Sequence, residues 1–268
     1  MVLYTLVLVA LIQGLTEFLP VSSTGHLALV PLITGAPYQG VVIDAAAHVG
    51  TLAAVVTYFW REVSMAASGV PAVLRGRIDT QASWLALCLL VATVPVVTFG
   101  ALLKLSGAAD ALRTLEIVGW ATLLFGLLLW VADRRGRDDR SDTRWSLRHA
   151  VTLGLWQAVA LIPGASRSGI VITGARFAGY DRVSAARLSM LMSVPTIIAS
   201  GLLAGADVIG GQVDWADALA VVILSAIAGF IALGLMMRFL KSYSYTPYVL
   251  YRIGLGTFLL ALAYSGVI

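Results

Sequence analysis

The chain has 268 residues, of which 59% are hydrophobic and 12% charged, against roughly 45–50% and 25% in a soluble domain. Its 14 acids and 18 bases are too few to cover a water-facing surface of this size, which excludes a disordered chain, a nucleic-acid module and most water-soluble enzymes. The single cysteine, Cys88, excludes an intramolecular disulfide and any multi-cysteine metal site.

The first apolar stretch, residues 1–33, is interrupted near its middle by Glu17-Phe18-Leu19-Pro20-Val21-Ser22-Ser23-Thr24-Gly25-His26. No cleaved signal peptide is expected, because nothing basic precedes the apolar run and no A-x-A-like site follows it. Stretches long enough to cross a bilayer, which takes about 20 apolar residues, follow at 41–60, 83–104 and 115–133. The connection 134–146 comes next. The run from Arg134 to Arg148 carries nine charges in fifteen residues and reads as a solvated, topology-setting loop. A second interrupted stretch covers 147–178 and breaks at Pro163-Gly164-Ala165-Ser166-Arg167-Ser168-Gly169. Three more spans are expected at 184–205, 217–238 and 248–267. Irregular backbone at membrane depth survives only when buried in protein or lining a wet cavity. Both interrupted stretches therefore read as re-entrant helix–loop–helix hairpins. The expected fold is an all-α polytopic membrane protein, a single integral domain over 1–268 with six transmembrane helices and two such hairpins.

If each hairpin returns to its own side, fourteen bases fall on one face. They are Arg61, Arg75, Arg77, the six arginines from Arg134 to Arg148, Arg176, Arg182, Arg187, Arg238 and Lys241. The other face receives Lys104 and Arg113, and the loop with Asp207 and Asp214 has no base. The positive-inside rule makes the first face cytoplasmic and places both termini outside.

An offset of 144 puts Gln13 on Gln157, Ser22 on Ser166, Thr24 against Ser168 and Gly25 on Gly169. Each matched loop is followed by three spans, an odd number, so the second half starts on the opposite side. The pattern predicts an inverted-topology repeat, about 1–133 and 147–268, with the two loops meeting near the bilayer midplane.

Charges inside a bilayer are rare and usually functional, and Glu17, His26 and Arg167 all fall in the broken loops. Gln13 and Glu17 share a helix face. Their oxygens suit a hard cation such as Mg²⁺ or Ca²⁺, or simply satisfy the loop backbone. Ser22, Ser23 and Thr24 open a new helix, where free N–H groups favour an anion. His26 is spaced to sit over Ser22 or Ser23. Arg167, with a fork suited to phosphate oxygens, needs either a permanent partner such as Glu17 or an anionic ligand. Asp44 and His48, four apart, read equally as mutual support or as function. Arg252, among Tyr243, Tyr245, Tyr248 and Tyr251, reads as an interfacial anchor in an aromatic belt.

At these residues the sequence resembles the undecaprenyl-diphosphate phosphatase family, known as BacA or UppP. The stretch from Gln13 to Leu27 resembles the family's Glu/Gln-x-x-x-Glu motif with its Ser-Ser-x-Gly-His continuation. Residues Pro163 to Gly169 resemble its Pro-Gly-x-Ser-Arg-Ser-Gly motif. A weaker likeness runs along the whole chain, including Phe59-Trp60-Arg61 and Tyr251-Arg252. The family's functional positions fall on Glu17, Ser23, His26 and Arg167, and Gln13 fills a variable acid position. Gln there weakens any role for Gln13 as an ionised metal ligand. The resemblance implies an inner-membrane enzyme open to the outside. It would remove one phosphate from a C55 isoprenyl diphosphate, recycling the carrier lipid of peptidoglycan synthesis and conferring bacitracin resistance. The type-2 phosphatidic-acid phosphatases, which share Ser-Gly-His and Ser-Arg, require a histidine where this chain has Thr173, and no histidine follows His149.

The expected chemistry is phosphoryl transfer. Ser22, Thr24, Ser166, Ser168 and Gly169 would cradle the diphosphate at two helix N-termini, and Arg167 would gather its charge. Ser23 would attack with His26 as base, or as acid to the leaving group. Glu17, with Gln13, would hold a divalent cation, or Glu17 would orient His26. A serine nucleophile, a histidine nucleophile and an activated water all fit this set. The partners expected are the polyprenyl diphosphate and membrane lipids, with no nucleic acid; an oligomer is compatible with the sequence. The alternative is a transporter or flippase of a phosphorylated polyprenyl lipid, since paired hairpins also build secondary transporters.

Overall fold

The computed structural model describes residues 3–265, apart from 37, 39, 143–144 and 209–213. Among these residues the regular structure is helical, with no strand. The elements are α1 (Leu3–Phe18), α2 (Ser23–Leu27), α3 (Val30–Thr34), α4 (Val41–Tyr58), α5 (Trp60–Leu74), α6 (Gln81–Ser106) and α7 (Ala108–Ala111). They continue with α8 (Leu115–Arg135), α9 (Leu147–Val159), α10 (Arg167–Phe177), α11 (Arg182–Val208), α12 (Trp215–Phe239) and α13 (Thr246–Tyr264). Six helices, α4, α6, α8, α11, α12 and α13, are long and apolar enough to cross a membrane. They coincide with the six expected spans, their ends within about three residues. The 205–217 connection, expected to face outward, lies partly outside the described residues.

One element was not expected. Helix α5 covers a region whose arginines read as part of a polar connection. Its 15 residues are too few to cross a bilayer. It buries only Ala66 and Gly69, against α6. Gly69 lies so close to the Ala82 backbone that any Cβ would overlap it.

The long helices pack through small residues, as expected where lipid tails give no hydrophobic drive. Helix α1 lies on α12, where a Cβ at Gly14 would come 2.6 Å from the Ala228 Cβ. Helix α9 lies on α6, where a Cβ at Gly154 would come 2.6 Å from the Ala92 carbonyl oxygen. Helices α4 and α11 meet, as do α8 and α13.

Polar bonds tie the base-rich end together. Arg187 pairs with Glu62 and, at 3.4 Å, with Asp142. The Trp84 indole donates to the Trp145 carbonyl at 3.0 Å. Buried Asp133 pairs with Arg182 at 2.7 Å and Arg176 at 3.3 Å, and accepts the Tyr245 N–H at 3.1 Å. Arg176 also reaches Asp138. A short bridge joins Arg140 to the turn after α10, its N–H donating to the Gly179 carbonyl at 3.1 Å and its carbonyl accepting from the Asp181 N–H at 2.9 Å. The 134–146 connection is thus stitched to the second half through Asp138, Arg140 and Asp142, rather than only solvated as its charge density suggests. Arg176 stands in the last turn of α10 and Trp145 just before α9, so both outer ends of that pair lie at this end. At the opposite end, the Tyr4 hydroxyl of α1 is 3.5 Å from the Thr34 carbonyl of α3.

Candidate active site

Two loops of nearly the same conformation form the site. Helix α1 ends at Phe18, just before Pro20, whose ring disfavours helical backbone at the residue ahead of it. The chain re-enters helix at Ser23 after Ser22, which has φ +74° and whose Oγ accepts the Gly25 N–H at 3.3 Å. Ser166 repeats this ahead of α10, with φ +67° and its Oγ accepting the Gly169 N–H at 3.3 Å. Positive φ in a non-glycine residue costs about 1–3 kcal/mol and persists where surrounding structure enforces it. Of the three described non-glycine residues with positive φ, two are these serines.

The second loop is clamped from behind. Gly164, at φ +94°, lies against the Val118 carbonyl, where a side chain has no room. The Thr122 hydroxyl donates to the Gly164 carbonyl at 3.3 Å. Arg252 is fully buried. It donates to the carbonyls of Thr122 and Ala165 at 3.0 Å, Gly164 at 3.1 Å and Ala121 at 3.4 Å. This corrects the interfacial-anchor reading. A guanidinium spreads five donors over a fixed fork, and here they hold the backbone just before Ser166.

The loops meet through Glu17 and Arg167, 150 residues apart. Arg167 Nη2 donates to Glu17 Oε1 at 3.0 Å, with side chains 12% and 9% exposed. Its Nη1 donates to the Ser189 carbonyl of α11 at 3.1 Å. Glu17 Oε2 accepts from Gln13 Nε2 at 2.9 Å and from the Ser23 hydroxyl at 3.3 Å. The Ser168 hydroxyl crosses to the Leu19 carbonyl at 3.0 Å and lies 3.2 Å from Ser166 Oγ. A cavity of about 180 Å³ is lined by Glu17, Ser23, Thr24, Ser166, Arg167 and His48, and by Thr196 and Ser200 of α11.

His26 does not sit over Ser23. Its Nδ1 faces the Ser22 carbonyl at 2.7 Å, one turn back. Its Nε2 is 2.6 Å from the Tyr251 hydroxyl, and the two rings stack at 5.5 Å. The partner of the Ser23 hydroxyl is therefore Glu17, because the backbone bond turns the imidazole toward α13. Of the other expected residues, Ser22 and Gly169 are buried cap partners and Ser168 fastens one loop to the other. His48 proves to belong to the cavity. Its Nε2 lies 3.3 Å from Gln13 Nε2 and its Nδ1 2.8 Å from the Asp44 carbonyl, so the bond toward Asp44 runs to the backbone. Tyr251, Ser189 and Thr196 went unrecognised as site neighbours. Only the adjacency of Tyr251 to Arg252 hinted at any of them.

Gln13 Oε1 is buried without a partner among the described residues, as is Gln157 Oε1 at the matched position. Gln157 donates its amide to Thr196 Oγ1 at 2.9 Å. Gln13 and Glu17 together offer one amide and one carboxylate oxygen. Among the described residues no group of three or more His, Cys, Asp or Glu side chains gathers to hold a metal. Gln13 Oε1 and the Glu17 carboxylate are the oxygens that would hold a hard divalent cation, and two such groups would not make a closed protein cage.

Comparison with known proteins agrees with this arrangement. The model of the BacA family, described as bacitracin resistance protein BacA, matches residues 6–258. The chain is 59% identical over 270 residues to an undecaprenyl-diphosphatase of Ruegeria pomeroyi, covering 99% of this chain and all of that protein. It is 56% identical over 268 residues to one from Jannaschia sp., with the same coverage. A more distant relative, the undecaprenyl-diphosphatase of Chromohalobacter salexigens, is 44% identical over 256 residues, 95% of this chain and 96% of that protein. With two motif loops joined at one cavity and a match running almost from end to end, this chain belongs to the BacA family.

Proposed function

We propose that the chain hydrolyses undecaprenyl diphosphate to undecaprenyl phosphate and inorganic phosphate in the bacterial inner membrane, recycling the lipid carrier for peptidoglycan synthesis. The observation that carries this reading is the Glu17–Arg167 pair, set between two strained serine-capped loops at the mouth of one cavity. We read the loops as the tips of re-entrant hairpins in an inverted repeat. The shared serine conformation supports this, as do the reciprocal packing of α1 on α12 and α9 on α6 and the return of each broken segment toward its own end. The base-rich end is cytoplasmic in this reading and the cavity opens outward. His48 lies seven residues into α4 from the base-poor end, about 10 Å of helix, and Thr196 lies fourteen into α11 from the base-rich end, about 21 Å.

Arg167 exchanges Glu17 for the equatorial oxygens of the terminal phosphate and draws off their charge. The freed Glu17 carboxylate is then the base for Ser23, whose hydroxyl it already accepts. Ser23 Oγ attacks the terminal phosphorus, the polyprenyl phosphate departs, and water releases phosphate from the serine. His26 is held beside the reacting loops between the Ser22 carbonyl and the Tyr251 hydroxyl. Glu17 and Gln13 would hold a divalent cation, which when bound neutralises diphosphate charge. The isoprenyl chain lies between helices.

Phosphate release from a polyprenyl diphosphate by purified protein tests the activity, and its absence refutes it. Chelation is expected to abolish turnover and added Mg²⁺ or Ca²⁺ to restore it. Gln13→Glu should stay active and Glu17→Ala should not. Full turnover in excess EDTA would remove the cation from the mechanism. Ser23→Ala is expected to slow release at least about a hundredfold. Because hydroxyl and carboxylate act as a unit, adding Glu17→Gln should cost little beyond the worse single change; multiplicative losses would show that they act separately. Orientation is tested in intact cells with Arg137→Cys, since native Cys88 is buried and silent. An impermeant thiol reagent should leave this variant unlabelled until the cells are opened, and labelling of closed cells would invert the layout.

A further inference from the structure

A second cavity, about 930 Å³, opens at the base-rich end where α4, α5, α11 and α12 converge. It shares no lining residue with the cavity at Glu17 and Arg167. Four bases line it, Arg61, Arg187, Arg238 and Lys241, against the single acid Glu62. Arg187 is already engaged by Glu62 and Asp142. The side chains of Arg61, Arg238 and Lys241 are exposed and make no hydrogen bond or ion pair among the described residues. Three uncompensated cations thus converge on a concave site.

The surroundings point to a lipid as the source of the anion. Trp60 lines the cavity and is 63% exposed, and Tyr243 lies just past the end of α12; this is the amphipathic aromatic character of a headgroup layer. From the cavity an apolar stripe descends α12 through Leu235, Ile231, Phe230 and Ile227, all exposed. Ile227, Ile231 and Leu235, one and two turns apart, share one helix face, and Phe230 flanks them one turn from Ile227. At the top of the stripe Gly234 lies beside the Tyr58 ring, which a Cβ there would meet at an ordinary contact distance of 3.6 Å. A free phosphate would use the cations alone. A phospholipid uses the cations for its headgroup and the stripe for its tails. Basic pockets between helix ends are a recurrent way of capturing anionic headgroups.

We propose that this cavity binds an anionic phospholipid of the leaflet at the base-rich end. Its phosphate is held by Arg61, Arg238 and Lys241, and its acyl chains lie along the α12 stripe.

The test is native mass spectrometry of the full chain, delipidated and titrated with phosphatidylglycerol or phosphatidylcholine. Wild type should bind phosphatidylglycerol in clear preference. Each base near an anionic headgroup contributes about fivefold, so the triple change Arg61→Gln, Arg238→Gln, Lys241→Gln should weaken phosphatidylglycerol binding on the order of a hundredfold while leaving phosphatidylcholine unchanged. All three side chains are exposed, and retained phosphate release verifies the fold. A control pair at the neighbouring basic patch, Arg137→Gln with Arg148→Gln, should leave lipid binding as it was. Three results overturn the proposal: unchanged phosphatidylglycerol binding in the triple variant, an equal loss in the control pair, or displacement of the lipid by inorganic phosphate at comparable concentration, which would make the occupant a free anion.

Discussion

Arg167→Lys is expected to lose at least about a thousandfold in phosphate release although its charge is kept, since an arginine at a transferring phosphoryl group is worth about 10³–10⁵. The reason is the fork. Its two terminal nitrogens serve different partners, Glu17 on α1 and the Ser189 carbonyl on α11. A single ammonium cannot span both, nor make parallel bonds to two phosphate oxygens. Arg167→Ala should be equally inactive. It also strands Glu17, a largely buried carboxylate, and breaking a buried pair from one side costs about 3–5 kcal/mol. The double change Arg167→Ala with Glu17→Ala should regain much of that stability and no activity. Thermal unfolding in detergent beside the phosphate assay separates the two contributions. An active Arg167→Ala enzyme would sink the phosphate-clamp role, and an Arg167→Ala protein as stable as wild type would show that the pair is not structural.

The second large effect is expected at Arg252, whose side chain meets the cavity lining only at the Gly164 carbonyl. Arg252→Met removes four bonds to carbonyls, from Ala121, Thr122, Gly164 and Ala165. Buried groups left without a partner cost about 1–3 kcal/mol each. The loss should reach several kcal/mol, with the melting temperature falling accordingly. Ala165 and Gly164 immediately precede the Ser166–Arg167 turn, so activity in the surviving folded fraction should fall as well. Arg252→Lys should recover part of the stability, one donor site standing in for three. A methionine variant that melts and turns over like wild type would show that the loop is held by other means.

These two arginines also mark how far the sequence could be read. The six spans were legible because each is a continuous apolar run, and a bilayer leaves such a run one option. The two loops were legible because breaking an apolar stretch with Pro, Ser, Gly and charge makes sense only around a site. Helix α5 was not, since its burial is confined to Ala66 and Gly69 on one face of a short mixed segment. Arg252 was misread because its partners are backbone carbonyls, which carry no side-chain signature. His26, expected over Ser22 or Ser23, meets the Ser22 carbonyl and Tyr251 instead. Helical spacing showed what it can reach along α2, and its actual partner Tyr251 lies 225 residues further on.

The separation of Glu17 from Arg167 along the chain has a consequence for biogenesis. The countercharge is made 150 residues after the carboxylate, which at ordinary synthesis rates of about 5–20 residues per second is a delay of roughly eight to thirty seconds. Through that interval α1 carries an acid with no cation to neutralise it, and such a segment is a poor candidate for stable residence in hydrocarbon. The first broken segment is therefore expected to stay at the water boundary while α4, α6 and α8 are threaded, and to settle once the second loop supplies Arg167. A nascent chain that stops before Arg167 holds no complete site, and Tyr251, the partner of His26, is made 225 residues after it.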